Sequence, residues 1–355
     1  MSDHKLKLVG VINEDPFDPQ TWSGSSKFFF EALKKQGVLH KAVSAQPSKP
    51  KQWLCKLISF QPELRKWKFK YNISVHFYQQ MTRAAIQKLN QIDPSQYQVI
   101  LQVGAWYDMT NYRRKPVVSY HDGNLAALLA SPNSYPLIRD SIIRRTFAYE
   151  RDLYKKINLI FPMSKWLAKS FVKDFGIPKD KVFPVGAGIN LPKVREIQNK
   201  FYYTPRILFI GKAFKRKGGD GLLEACKMVR REIRDAELII IGPQLKSLPD
   251  GVFCKGFIPK NNEGLENLLD EYQNASLFVM PSLYEPFGIV FAEAMAHRLP
   301  CISTDICAMP EIIQNGKTGY VVPPGDPMVL SKKILTLLKN PLKCKEFGHA
   351  GYMRY

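Results

Sequence analysis

The chain is poor in cysteine, and its cysteines are not paired in sequence. Six occur in 355 residues, at positions 55, 226, 254, 301, 307 and 344. Redox motifs and many zinc sites need two cysteines at Cys-x-x-Cys spacing, and the sequence has no such pair. The pattern therefore favours reduced thiols in the core of a cytoplasmic protein over disulfides or a zinc site.

Long hydrophobic runs are also lacking. No segment of the sequence approaches the ~20 apolar residues that span a bilayer. The apolar run near the N-terminus is too short for a secretory signal, and Glu14 and Asp15 follow it at once. We therefore expect a cytoplasmic location, with peripheral attachment to the inner face of a membrane as the alternative.

Acidic residues are scarce in the first part of the chain. Its first 200 residues hold 32 Lys and Arg against 15 Asp and Glu, a net charge of +17, whereas the remainder carries +4. Such a field favours an anionic membrane surface, a lipid phosphate, an acidic glycan or nucleic acid, although it also serves solubility. We expect no nucleic-acid partner, because no recognition helix, zinc pattern or base-stacking motif accompanies the charge.

Residues 49–72 form a basic–aromatic segment that differs from the rest of the chain. It interleaves the apolar residues Trp53, Leu57, Ile58, Phe60, Trp67 and Phe69 with Lys51, Lys56, Arg65, Lys66, Lys68 and Lys70. This mixture suits the headgroup region of a bilayer. The alternative is a solvated helix whose aromatic side chains enter the core.

Short apolar runs rich in β-branched residues alternate with helical patterns, which is typical of parallel sheets with crossover helices. The length favours two such α/β domains, which we place at residues 1–190 and 196–355, on either side of an aperiodic stretch. We predict a helix over 164–176, capped by Ser164 and stopped by Gly176. Further helices are predicted near 25–36 and 219–231, and strands at 7–13, 99–103, 116–120, 158–164, 182–185, 206–211, 237–242, 276–281 and 300–304.

The stretch 282–304 contains the strongest motif for chemistry. A strand ends at Pro281, and Pro286 is placed for the first turn of a helix. Residues 287–289 then expose free backbone N–H groups at a helix start, which is a ready anion site. Gly288 lets a phosphate oxygen approach the main chain closely.

Two carboxylates flank that helix start. Glu293 follows Glu285 by eight positions, so at 1.5 Å rise per residue they lie at most about 12 Å apart along the axis. This span suits one ligand with hydroxyls at both ends and a diphosphate between them. The alternative is that both glutamates only cap and solvate a helix.

With its Glu-x7-Glu signature and Pro-Phe-Gly after the first Glu, the sequence resembles the retaining glycosyltransferases of family four. The resemblance implies the GT-B fold, in which two Rossmann-like domains face each other across a cleft. It further implies that Glu285 binds hydroxyls of the transferred sugar and that Glu293 binds the ribose. The main chain of Phe287, Gly288, Ile289 and Val290 is implied to meet the sugar and the diphosphate.

A second motif covers residues 207–225, where a buried strand runs into Gly211 and a basic loop. The resemblance implies that Lys212 and Lys217 bind the donor diphosphate, where cations stabilise the negative charge of the leaving group. Lys212 departs from the family's commoner Arg and lacks its bidentate fork. We expect Lys215 and Arg216, in the same loop, to be solvated.

The resemblance also implies that residues 252–262 form a loop that frames the nucleobase, through backbone atoms of Gly256, Phe257 and Ile258. In the first domain, Gly24 stands where the family has a glycine-rich loop near the phosphates and acceptor. A plain helix N-cap by Ser23 or Ser25 is the alternative.

His121 lies at the end of a predicted strand, where the family presents a histidine to the donor sugar. Its place at the carboxyl end of a strand favours that role. The alternative is a core histidine.

The sequence thus predicts a retaining hexosyltransferase with its acceptor on the first domain and its nucleotide-diphosphate-sugar donor on the second. A glycan or lipid-linked acceptor is expected, in the biosynthesis of cell-surface polysaccharide, lipopolysaccharide or glycolipid. We expect no cofactor and no divalent metal, since lysines and helix dipoles neutralise the diphosphate. A covalent glycosyl-enzyme is the alternative mechanism. The alternative function is a non-catalytic sugar-nucleotide-binding protein of the same fold.

Overall fold

The computed structural model describes residues 6–131, 135–195, 197, 200–260 and 262–355. The chain divides into two compact units, a first domain at Met1–Ala187 and a second domain at Gly188–Tyr355. The division falls slightly before the predicted one, whose second boundary, residue 196, lies outside the described residues. Residues 188–195 join the second domain because Arg195 pairs there with Asp270, at 2.6 Å.

The first domain is an α/β unit with five parallel strands in the order β2-β1-β3-β4-β5. This order reverses direction between β1 and β3, and open α/β sheets bind ligands at the carboxyl ends of strands at such a point. In chain order its elements are β1 (Leu8–Ile12), α1 (Ser25–Lys35), β2 (Leu39–Ser44), α2 (Lys49–Ile58), α3 (Leu64–Asn72), α4 (Val75–Leu89), β3 (Val99–Val103), β4 (Val117–His121), α5 (Leu125–Leu129), α6 (Asp140–Lys156), β5 (Leu159–Pro162) and α7 (Lys165–Phe175).

The second domain has six parallel strands in the order β11-β10-β9-β6-β7-β8. Its strand order reverses between β6 and β9. The elements are β6 (Arg206–Ile210), α8 (Gly219–Glu232), β7 (Glu237–Ile241), β8 (Val252–Gly256), α9 (Asn262–Asn274), β9 (Leu277–Val279), α10 (Ile289–Ala296), β10 (Cys301–Thr304), α11 (Met309–Ile312), β11 (Gly319–Val322), α12 (Pro327–Leu338) and α13 (Pro341–Arg354).

Each sheet is buried between its helices. Leu208, Phe209, Ile240 and Phe278 from the second sheet pack against helix residues such as Leu222 in one apolar core. Parallel strands covered on both faces are apolar along their whole length, which is why they were recognisable from sequence. None of the described helices combines the length and hydropathy needed to cross a bilayer.

The prediction for α7 is confirmed at both ends. The Ser164 hydroxyl accepts a hydrogen bond from the Leu167 N–H at 3.0 Å, and Gly176 adopts the left-handed conformation at the C-terminus. The predicted strand at 182–185 is reduced to an isolated bridge between Val182 and Ile160.

The prediction that a helix opens at Pro286 is wrong. Helix α10 begins at Ile289, because Gly288 has φ of +71° and interrupts the helical backbone just before it. Glu285 therefore lies in a loop, and the helical rise does not fix its distance from Glu293. The prediction of a loop over 252–262 is wrong in part, since residues 252–256 form β8.

Candidate functional site

The loops that follow β6 and β9 meet at the point where the strand order of the second domain reverses. Gly218, the N-cap of α8, has φ of +75°, and a Cβ added there would collide with the carbonyl oxygen of Pro281. The Leu283 N–H donates to the Arg216 carbonyl at 2.9 Å. The main chain of one loop is therefore held directly against that of the other, which only glycine at 218 allows.

Glu285 and Lys217 form an ion pair where these two loops meet. Lys217 Nζ lies 2.7 Å from Glu285 Oε2, and the two side chains are 14% and 12% exposed. Lys217 Nζ also lies 3.3 Å from Met280 Sδ. A Cβ on Gly211 would collide with the aliphatic part of the Lys217 side chain. The glycine therefore keeps open the space through which this lysine reaches Glu285.

Arg216 belongs to the same constellation, and the prediction that it is solvated holds only in part, since its side chain is 39% exposed but is also engaged by the second loop. Its guanidinium donates to the Tyr284 carbonyl and lies 3.5 Å from Glu285 Oε2. Glu285 is thus flanked by two cations from one loop. Lys215 is exposed, as predicted. Sequence reasoning could have included Arg216, because it adjoins Lys217 in the same basic loop.

Lys212 lies at the edge of the site with the residues predicted to frame a base. Its Nζ is 4.0 Å from the centroid of the Phe257 ring, within range of a cation–π interaction. Gly256 ends β8, and the Ile258 side chain packs partly into the core. The ends of β6, β7 and β8 are close here: a Cβ on Gly242 would lie 2.7 Å from the Gly211 carbonyl oxygen, and the Gly242 N–H donates to the Gly256 carbonyl at 2.8 Å.

The start of α10 presents backbone donors. The N–H groups of Ile289 and Val290 belong to its first turn, where no preceding helical carbonyl is available to them. A Cβ on Gly288 would lie 2.9 Å from Met309 Cε, and the Phe287 side chain packs partly against the core. With the helix dipole, this helix start, four residues beyond Glu285, can bind an anion.

Glu293 is engaged inside the second domain, and its side chain is only 4% exposed. Oε1 accepts from the Asn190 N–H at 3.1 Å and from Lys260 Nζ at 2.9 Å. Oε2 accepts from the Tyr272 hydroxyl at 2.9 Å. The structure therefore does not bring Glu293 to the Lys217–Glu285 pair through any side-chain contact. Sequence reasoning missed Lys260 and Tyr272, which carry no motif.

His121 is buried in the first domain at the end of β4. Its ring packs against Tyr154 and Phe171, with centroids 5.5 and 5.1 Å away. Neither ring nitrogen has a hydrogen-bond partner within the described residues. Burial lowers the pKa of His121 to about 3, so the imidazole is neutral. The geometry agrees with the alternative of a core histidine, because the ring is not presented at the surface of its own domain.

Gly24 forms the N-cap of α1 and ends a left-handed turn. Its φ is +90°, and Trp22 and Ser23 before it also have positive φ, of +49° and +57°. The N-cap residue is Gly24 itself, so the alternative of Ser23 or Ser25 as the N-cap is wrong. The indole of Trp22 donates to Asp122 Oδ2 at 2.8 Å, which ties this turn to the end of β4.

Comparison with known proteins agrees with this architecture. Residues 192–354 match the family of glycosyl transferases group 1. Among curated proteins, the amylovoran biosynthesis glycosyltransferase AmsK of Erwinia amylovora is 29% identical over 204 residues, which are 52% of this chain and 48% of AmsK. The chain thus spans about half the length of this relative. The second domain resembles the group 1 glycosyl transferases in sequence.

Solved structures extend the likeness to the whole chain. WaaG, a glycosyltransferase involved in lipopolysaccharide biosynthesis, matches with a TM-score of 0.67 and 14% identity, over 98% of this chain and 94% of WaaG. HepE of Anabaena in complex with UDP-glucose matches with a TM-score of 0.63 and 13% identity, over 98% and 94%. The predicted fold class is confirmed: the chain has the GT-B fold.

Proposed function

We propose that the chain is a retaining glycosyltransferase that binds a nucleotide-diphosphate-sugar on its second domain. The observation that carries the proposal is the Lys217–Glu285 ion pair, which lies where the strand order reverses and just before the anion-binding start of α10. Carboxylate, ammonium and free N–H groups together match the hydroxyls and the diphosphate of such a donor. The match of the second domain to group 1 glycosyl transferases supports the same assignment.

We assign Glu285 to hydroxyls of the transferred sugar. A carboxylate accepts hydrogen bonds only, which suits sugar O–H donors. Lys217, Lys212 and the main chain over residues 287–290 then hold the diphosphate. These donors are fixed before reaction and stabilise the charge that develops on the leaving group.

We assign the ribose to Glu293, through the acceptor position that Oε2 retains beside the Tyr272 hydroxyl. Main-chain groups at Gly256, Phe257 and Ile258 are assigned to the base. UDP is the first nucleotide to test, because the structural neighbour HepE holds UDP-glucose.

In the proposed reaction the bond between the anomeric carbon and the diphosphate oxygen breaks through an oxocarbenium-like state. The acceptor oxygen bonds to the same face of the sugar, and its proton passes to the departing phosphate. His121 takes no part, since its ring is buried in the first domain. A covalent glycosyl-enzyme is less favoured, because Glu285 is neutralised by two cations. No divalent metal is proposed, since lysines and the start of α10 supply the positive charge.

We propose a glycan or lipid-linked acceptor bound by the first domain, at the left-handed turn that ends in Gly24. The names of AmsK and WaaG concern amylovoran and lipopolysaccharide biosynthesis. They favour a role in making a cell-surface polysaccharide or glycolipid. We expect the chain to act in the cytoplasm or at the inner face of a membrane.

A thermal-shift panel of UDP-, GDP- and ADP-sugars, followed by turnover of the best ligand, tests the proposal. A donor at 100 times its Kd stabilises the folded protein by about 2.7 kcal/mol. Glu285→Gln is expected to abolish turnover, whereas Glu224→Gln, which changes an exposed Glu–Lys pair on α8, leaves it intact. Binding without turnover in the wild type would instead establish the non-catalytic alternative, and absence of binding to every sugar nucleotide would refute both.

A further inference from the structure

We propose that the first domain docks onto an anionic lipid bilayer through one face, and that a cavity beside this face binds a lipid phosphate. The docking face consists of α2, α3 and the connecting residues 59–63. Vesicle binding needs no sugar donor, so this inference can be tested independently of the proposed transfer reaction.

The docking face is unusually apolar for a surface. Six large apolar side chains on α2, its connection and the start of α3 are each 54–70% exposed, namely Trp53, Leu54, Leu57, Ile58, Phe60 and Leu64. The four on α2 recur at i, i+1, i+4 and i+5, which places them on one side of the helix. Cys55 on the other side is buried. The alternative that these aromatic and aliphatic side chains enter the core is therefore wrong for this group.

The two helices of the docking face pack on each other. The Trp67 indole N–H donates to the Lys56 carbonyl at 2.8 Å, and the rings of Phe60 and Trp67 lie 5.5 Å apart at 67°. Tyr78 of α4 donates its hydroxyl to the Asn72 carbonyl at 2.9 Å and anchors the end of α3. The exposed apolar residues thus lie on a platform held to the domain.

The charge of this face selects a bilayer over a protein as its occupant. Residues 49–72 contain seven Lys and Arg and a single acid, Glu63, which pairs with Lys66 at 2.8 Å. Lysines are depleted from the cores of protein interfaces, where they must be desolvated. At a membrane their stems lie along the apolar layer while the ammonium groups meet lipid phosphates.

A cavity of about 320 Å³ opens beside the docking face and shares Ile58, Ser59 and Lys70 with it. Lys70, His76 and Arg145 line this cavity, together with hydroxyls that include Ser59 and Ser141. Its wall contains Val75 at the start of α4 and Ser141 in the first turn of α6, where free N–H groups favour an anion; Asp140, an acid in the same turn of α6, does not line the cavity. No described carboxylate lies within 4 Å of any of the three basic side chains. All the ionisable side chains that line the cavity are thus basic, which favours an anion as its ligand.

The apolar part of the cavity lining favours a lipid phosphate over free inorganic phosphate. Ile58, Ile73 and Ile142 line the cavity along with its cations. A small hydrated anion gains nothing from these side chains, whereas the glycerol and upper acyl carbons of a phospholipid bury against them. A headgroup in the cavity would leave its acyl chains beside Leu57 and Trp53 of the docking face.

Co-sedimentation of the full chain with phosphatidylglycerol vesicles, and with phosphatidylcholine vesicles, tests the docking face. We expect binding to phosphatidylglycerol vesicles. The affinity should be at least tenfold lower for phosphatidylcholine vesicles, and at least tenfold lower in 0.5 M salt, since salt screens exposed charges. The double variant Trp53→Ser and Leu57→Ser is expected to lose at least tenfold in affinity. Leu342→Ser, an equally exposed leucine of the second domain, keeps wild-type binding. Equal binding by all variants, or no binding to phosphatidylglycerol, overturns the proposal.

The cavity is tested with Lys70→Gln and Arg145→Gln, whose folding is checked by their melting curves. Each is expected to weaken binding to phosphatidylglycerol three- to tenfold while Lys173→Gln, a control on α7, does not. Inorganic phosphate at 10 mM is expected to leave the melting temperature unchanged. A phosphate-induced shift that Arg145→Gln abolishes, without any effect of that variant on vesicle binding, would mean a free-phosphate site and overturn the lipid assignment.

Discussion

Glu293→Gln should destabilise the second domain, because it removes the charge that Lys260 compensates. In the wild type the carboxylate accepts from Lys260, from the Tyr272 hydroxyl and from the Asn190 N–H. Glutamine keeps the shape and one carbonyl acceptor but loses the ion pair. The glutamine NH2 group would also take the place of a carboxylate oxygen that accepted a hydrogen bond. Because NH2 can only donate, it would face another donor, and at least one hydrogen bond is lost.

The magnitude follows from the burial of the two partners. Removing one member of a fully buried ion pair costs about 3–5 kcal/mol. Lys260 is 23% exposed and can regain some hydration, so the lower figure for a charged hydrogen bond, about 2–3 kcal/mol, applies here. For a domain of this size, each kcal/mol lowers the melting temperature by about 2–4 °C, so a fall of roughly 4–12 °C is expected.

Scanning calorimetry of the wild type, Glu293→Gln, Lys260→Met and the double variant measures this effect. The double variant should melt at a higher temperature than the two single losses added together predict, since both members of the Glu293–Lys260 pair are then removed together. The substitutions lie outside the first domain. When the first domain melts as a separate transition, the temperature of that transition serves as the internal reference. A melting temperature of Glu293→Gln within about 1 °C of wild type would refute the argument from burial.

Donor binding by the same variant separates the two roles of Glu293. Titration calorimetry well below the melting temperature should show weaker donor binding, by about tenfold, where the carboxylate also holds the ribose. An unchanged donor Kd together with the lowered melting temperature would leave Glu293 a purely structural role. Glu224→Gln on the surface of α8 is the control for both measurements.

Three further predictions concern the loops and the first domain. Gly218→Ala should prevent the close approach to Pro281 and unfold or strongly destabilise the second domain. Gly221→Ala on α8, where a Cβ would make only an ordinary contact with Pro327 at 4.0 Å, should instead stabilise it by about 0.5–1 kcal/mol in urea melts. Lys217→Ala should lower kcat roughly 10²–10³-fold, as for other groups that stabilise developing charge, and a loss under threefold would exclude that role. His121→Phe should keep full turnover. Because the pKa of His121 falls from 6.5 in the unfolded chain to about 3 in the folded one, wild type loses stability as pH falls below 6.5. In urea melts, the free energy of unfolding should fall less between pH 7 and pH 4.5 for His121→Phe than for the wild type. Equal falls for the two proteins would contradict the burial of a neutral imidazole.

Local chemistry determined much of the fold. The boundaries of α7 depend on Ser164 and Gly176, which act within one turn of the helix, so they could be read directly. The buried parallel strands are continuous apolar runs and were equally recognisable. The edge strand β2 was missed, since only Val43 among its residues is buried and it carries no such run.

The carboxylate motif and the basic loop were likewise visible in sequence, and the structure joins them through Lys217 and Glu285. Their direct ion pair could not be deduced, because it depends on the approach of two loops 68 residues apart. The same distance in sequence concealed Arg216, whose partners are Tyr284 and Glu285.

Tertiary structure alone decided which polar residues face solvent and which face the core. Glu293 and Lys260 belong to residue types that are mostly exposed, yet they form an ion pair in which the glutamate is buried inside the second domain. His121 ends a strand, as a ligand-binding residue does, yet Tyr154 and Phe171 enclose it. Trp53 resembles a core residue and is exposed. The physical reason is the same in each case: burial depends on which distant elements pack over a residue, whereas a motif records only its neighbours along the chain.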